Sequence, residues 1–110
     1  MNYVSRLIIV LAIASFAPQL LNAADTASGK TAYSKKCASC HGQSGEGKET
    51  MAKMLKVELR HLGSKEVQAK SDAELKKITI EGVGKMKPTK DIDDKTAEDI
   101  VAYLRSLAKK

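Results

Sequence analysis

Both cysteines of the 110-residue sequence fall within five residues, Cys37-Ala38-Ser39-Cys40-His41. Two thiols one helical turn apart can add across the two vinyl groups on one edge of a porphyrin. A histidine beside the second thiol then falls beneath the ring with a nitrogen aimed at the iron. That chemistry is covalent attachment of haem c, whose spacing is C-x-x-C-H. Ala38 and Ser39 are small and leave room for the haem edge. His41 would bind as neutral imidazole through one nitrogen, and its other N–H needs an acceptor, expected among the backbone carbonyls of the following loop. Rival chemistries fit less well. A C-x-x-C redox pair sits at a strand-to-helix junction of a thioredoxin-like chain, and no such strand is readable here. A disulfide across so short a loop would stabilise little. A metal clip of two thiolates and a histidine needs a fourth ligand, for which His61 is the candidate.

An iron that only carries electrons needs a second axial ligand. The candidates are Met51, Met54, Met86 and His61. Met51 and Met54 stand among Ala52, Leu55 and Val57, where a methionine reads as core filling. His61 lies beside Arg60 and reads as exposed. Met86 lies in Gly82-Val83-Gly84-Lys85-Met86-Lys87-Pro88, an otherwise polar loop where a thioether has little packing reason to be. Met86 is therefore the expected sixth ligand.

The elements that must position these groups read as helices joined by loops, with no repeat and no strand-like alternation. A first helix is expected over Ser28–Cys37, with Ala32, Tyr33 and Cys37 on one face. Gly42–Gly47 holds three glycines in six residues and reads as a loop. Glu49–Leu62 mixes periods and reads as irregular with a helical turn. Ser71-Asp72-Ala73-Glu74 has the form of a capping box and starts a helix that Gly82 can end. The last helix is the clearest: Ile100, Tyr103, Leu104 and Leu107 follow i, i+3, i+4, i+7, with Asp94 or Thr96 as the expected N-cap. Aromatic residues are only 4% of the chain, so the usual bulky core filling is missing and a chain this short needs something else at its centre.

Residues 1–23 have the order of a secretory signal peptide: Arg6, the apolar run Leu7–Ala17, then Pro18 and small residues to Ala23. The run is too short to span a membrane comfortably. Cleavage after Ala23 is expected, leaving residues 24–110 as one domain in the periplasm with no stable membrane insertion. Loss of Arg6 leaves 18 basic against 13 acidic side chains. This positive balance should steer acidic partners, with Lys35, Lys36, Lys85 and Lys87 as docking candidates. Nucleic acid is not expected as a partner of an exported chain with so few aromatics.

The mature chain resembles the class I c-type cytochromes, small and monohaem. The resemblance runs through Gly29-x-x-x-Tyr33-x-x-x-Cys37-x-x-Cys40-His41-Gly42, the Gly84-Lys85-Met86-Lys87-Pro88 loop, in which Lys87 separates methionine from proline, and the final helix Ile100–Leu107. It implies an all-α cytochrome c fold, three main helices and long loops wrapped around one covalent haem. Haem c attached through Cys37 and Cys40, axial ligands His41 and Met86, and single-electron transfer between redox proteins follow from it, with no enzymatic activity. Two other roles are consistent with a haem here. One is an electron-entry subunit of a larger oxidoreductase. The other is a gas binder of the c′ type, whose C-x-x-C-H lies near the C-terminus of a four-helix bundle rather than near the mature N-terminus.

Overall fold

The computed structural model describes residues 23–109. The expected leader thus lies outside the described residues except for Ala23. Six helical segments follow one another: α1 Thr26–Lys36, α2 Ala38–His41, α3 Glu49–Leu55, α4 Lys65–Gln68, α5 Asp72–Glu81 and α6 Asp94–Ser106. Among the described residues there is no strand, only an isolated antiparallel bridge between Val83 and Met86. The expected all-α arrangement is the one observed, with α1, α5 and α6 as the main helices and α6 packed against the other two.

Local capping chemistry sets the boundaries and corrects several expectations. The carboxylate of Asp25 accepts the N–H groups of Ala27 (2.9 Å) and Ser28 (3.2 Å), so α1 begins at Thr26 rather than Ser28. Asp93, not Asp94 or Thr96, caps α6; its Oδ1 accepts the Thr96 N–H at 2.7 Å. Ser71 caps α5 as expected by accepting the Glu74 N–H (3.1 Å). Glu74 does not reach back, because its carboxylate pairs with Lys70 (3.3 Å), so half of the capping box forms. Gly82 ends α5 with φ of 76°. The stretch read as irregular contains α3, seven residues long, and the one-turn helix α4 was not foreseen; Ser64 caps it.

The core is built on α6. Ala97, Ile100, Val101 and Leu104 recur at helical spacing and are all buried, with Tyr103 beside them. Helix α1 crosses α6 at Gly29, where a Cβ would overlap the Asp99 carbonyl. One turn further on, Tyr33 is fully buried and its ring lies 5.0 Å from that of Tyr103 at a tilted angle. Asp99 ties the start of α1 to α6: its Oδ1 accepts the Asp25 N–H (2.8 Å) and the Lys95 ammonium (2.5 Å), and Lys95 holds the carboxyl below the usual range.

Arg105 fastens the other side. Its guanidinium donates to the carbonyls of Gln68 (2.9 Å) and Lys70 (2.6 Å) and to Asp72 (2.9 Å), joining α4 and α5 to the end of α6. This forked geometry is one a lysine cannot copy.

The crossing at Gly29 gives a direct test. Gly29→Ala is expected to lower the urea midpoint of the holoprotein with an unchanged m-value, by the equivalent of about 3 kcal/mol, because the new methyl meets backbone that can yield only by separating two helices. Ala at the exposed neighbour Lys30 should leave the midpoint within error.

Candidate functional site

Cys37 is the junction between two helices: its N–H donates to the Tyr33 carbonyl (2.8 Å), and its own carbonyl accepts the N–H groups of Cys40 (3.3 Å) and His41 (3.0 Å). The turn of α2 therefore holds Cys37, Cys40 and His41 together, one turn apart as the spacing required. Both cysteines are free and half-buried. Burial, reinforced by the nearby Cys40, pushes the Cys37 thiol up to about 11. A thiol-disulfide catalyst needs the opposite shift at its attacking cysteine, so the redox-pair reading loses its chemistry. The metal clip fails as well: no group of three or more His, Cys, Asp or Glu among the described residues could hold a metal ion.

Burial lowers the pKa of His41 and so favours the neutral imidazole. Its Nδ1 is the one buried side-chain nitrogen or oxygen among the described residues with no hydrogen-bond partner. The expected carbonyl acceptor in the following loop is not engaged, and several carbonyls there have other partners. The Gly42 carbonyl accepts the Tyr33 hydroxyl (2.5 Å), the Gln43 carbonyl accepts the Tyr103 hydroxyl (2.9 Å), and the Gly45 carbonyl accepts the Leu62 N–H (2.8 Å). Two stacked tyrosines thus hold the two peptide groups that follow His41. The sequence reading placed both tyrosines in the helix packing and missed what their hydroxyls do. The available signal was the residue type, since phenylalanine would pack equally well.

The second candidate ligand lies on a short, well-defined turn. Val83 and Met86 exchange both backbone hydrogen bonds (3.0 and 2.9 Å), with Gly84 at φ of 55°, the pattern of a type II′ turn. Gly82 lies directly against the Met86 carbonyl and Pro88, leaving no space there for a side chain. Met86 itself is half-buried. Lys85 reaches away from the turn and donates to the Leu55 carbonyl at the end of α3 (2.6 Å). Its ammonium is therefore hydrogen-bonded within the chain while the residue stays exposed and keeps its charge.

The rival ligands separate. Met54 is 69% exposed and fills no core, contrary to expectation, because it sits on the outer face of a helix that buries nothing fully. Met51 is half-buried. His61 is half-buried rather than exposed, and its Nδ1 accepts the Gly63 N–H at 2.9 Å. The His61 Nδ1 thus has a partner within the chain, unlike that of His41.

The lining residues suit a large apolar group. Leu75 and Leu104 are buried, whereas Leu55, Leu59 and Ile78 are half-buried, as are Val57 and Ile80. The largest fully buried side chains are Tyr33 and Ile100. A half-buried imidazole with an unpaired buried nitrogen, two free thiols on the same turn and an apolar lining left half covered form a donor set that fits haem c.

No curated protein matches this chain significantly. A solved structure described as the KustC0563 c-type cytochrome superposes with a TM-score of 0.64 at 24% identity, covering 74% of this chain and 98% of that one. It shares the all-α cytochrome c fold. Residues 24–104 match the family described as cytochrome c oxidase, cbb3-type, subunit III, and the chain belongs to that family of haem-binding, electron-transferring c-type cytochrome domains.

Proposed function

We propose that this chain is an exported monohaem electron carrier, starting at Ala24 after leader removal, with haem c joined to Cys37 and Cys40 and ligated by His41 and Met86. The observation that carries this reading is His41, with its buried and unpartnered Nδ1, on the same helical turn as two free thiols. Bound haem supplies a one-electron ferric/ferrous couple. The chain's own residues tune and guard it. The thioether of Met86 is a soft, weak donor that favours the reduced state relative to a second histidine, and apolar side chains such as Leu55, Leu75 and Leu104 lower the local dielectric in the same direction. Tyr33 and Tyr103 hold the peptide groups beyond His41 and so fix the chain that carries it. With two protein ligands assigned to the iron, no position is left for a substrate, which accords with electron transfer rather than enzymatic turnover.

The family's description names an oxidase subunit, which supports a second reading: an electron-entry subunit of a larger oxidoreductase. A freely moving carrier and a subunit both need a surface for redox partners. Lys35, Lys36 and Lys87 are exposed near the two ligand-bearing loops, and all three are absent from the ion pairs of the described residues. We assign them to an acidic partner surface. Among the described residues no helix is long and apolar enough to cross a membrane.

Three measurements test these statements. The intact mass of protein exported from a host with haem c maturation machinery should equal residues 24–110 plus one haem, and the red colour should survive acid–acetone extraction. A colourless pellet with free thiols would end the assignment. Met86→Ala should abolish the far-red iron–sulfur band of the ferric protein, admit carbon monoxide to the ferrous iron and lower the potential. His61→Ala should leave the spectrum unchanged; if it instead opens the iron, the ligation is bis-histidine. Electron transfer to an acidic blue-copper protein should slow as salt shortens the Debye length below about 10 Å, and the Lys35/Lys36/Lys87→Gln triple variant should be slow at low salt and converge with wild type at high salt. Rates indifferent to both changes would show the lysines to be solubilising charge, and a complex with the host's oxidoreductase that survives high salt would favour the subunit reading.

A further inference from the structure

Helix α3 lies between the two loops that carry the candidate ligands. At its start, the N–H of its N-cap residue Lys48 donates to the Cys40 carbonyl (2.9 Å), inside the C-x-x-C-H motif. At its end the chain turns at Lys56 into the left-handed region (φ 54°), and the Lys56 and Val57 N–H groups go back to Ala52 and Lys53. The carbonyl of Leu55 is then one of the orphan acceptors that every helix C-terminus leaves. Lys85 supplies its donor from 30 residues away (2.6 Å). A cation is favoured at this end of a helix by the aligned peptide dipoles.

We propose that Lys85 is a latch: a positioning residue that holds the Met86 turn onto the end of α3, and through α3 onto the Cys37–His41 segment. The proposal rests on the reading of Met86 as the sixth ligand. Three observations converge on it. Lys85 immediately precedes Met86 in the turn, so anchoring its ammonium anchors the ligand's own peptide unit. The other restraints on the turn, the paired hydrogen bonds of Val83 and Met86 and the close approach of Gly82, are local to residues 82–88 and shape the turn without tying it to α3. Among the hydrogen bonds of the described residues, the Lys85–Leu55 bond alone carries residues 83–92 to a different helix. The latch restrains the excursion in which Met86 leaves the iron and the crevice opens, while the resting ligation depends on Met86 itself.

Imidazole binding to the ferric holoprotein reads that excursion, because an incoming ligand must wait for the methionine to leave. Lys85→Gln should speed imidazole binding roughly fivefold to tenfold, the range given by loss of one charge-assisted hydrogen bond at a partly exposed site, while the far-red band stays at full intensity. Lys85→Arg keeps a donor within reach of the Leu55 carbonyl and should remain within about twofold of wild type. Lys90→Gln removes the same charge nearby without a hydrogen bond and should have no effect. If Lys85→Gln binds imidazole at the wild-type rate while Met86→Ala opens the iron, the latch is refuted and the ligand assignment stands. If Met86→Ala leaves the band in place, the ligand assignment fails and takes the latch with it. Equal acceleration in Lys85→Gln and Lys90→Gln would reduce the effect to charge and also overturn the latch.

Discussion

The crossing of α1 over α6 at Gly29 is the contact on which the rest of this structure hangs. Backbone approaches backbone there with no side chain between, which brings the two helices close enough for Tyr33 to stack on Tyr103. From that stack both hydroxyls reach the peptides after His41, and α1 ends at the residue that begins the C-x-x-C-H turn. Widening the crossing would move the tyrosines, the loop they hold and the histidine together. The chain has little else to absorb such a shift, because its own side chains fill only a small core on α6 and leave the neighbouring apolar residues half covered. A covalently attached haem is the kind of group such an interior lacks, being large, flat and apolar on both faces.

Some of this was legible in the residues and some was not. The C-x-x-C-H spacing is written within five positions, and the α6 stripe is a periodic signal over about two turns, so both could be read directly. Gly82 as the end of α5 was legible because only a glycine takes its backbone angle cheaply. Helices α3 and α4 were not, since segments of four and seven residues are too short to be stable from propensity and form because tertiary contacts hold them. The cap of α6 was expected at Asp94 or Thr96, one or three residues past Asp93, and these residues differ as caps by where the chain turns rather than by chemistry. Met54 was read as core because its neighbours are apolar, yet a one-residue rotation on a short helix sends it to solvent. The partner of the Lys85 ammonium lies 30 residues away, and no local pattern could announce it.

Charge is distributed with a similar division of labour. Lys95 and Arg105 are spent on internal fastening, at Asp99 and at the carbonyls before α5, and Lys85 is spent on the end of α3. The lysines left over by these contacts give the surface its positive balance. Two exposed residues of one type, Lys85 and Lys87, thus flank the same methionine with different work: one donates to a carbonyl of α3, the other makes no ion pair among the described residues.

The tyrosine stack has an optical consequence. The sequence has no tryptophan, and Tyr33 and Tyr103 are the only phenol, benzyl or indole rings among the described residues. In the apoprotein, near-ultraviolet circular dichroism and intrinsic emission of this region therefore arise from one spot, two rings 5.0 Å apart whose hydroxyls grip the loop after His41. A signal that in most proteins averages over many aromatic environments here reports a single event, the parting of α1 from α6 beside the Cys37–His41 turn.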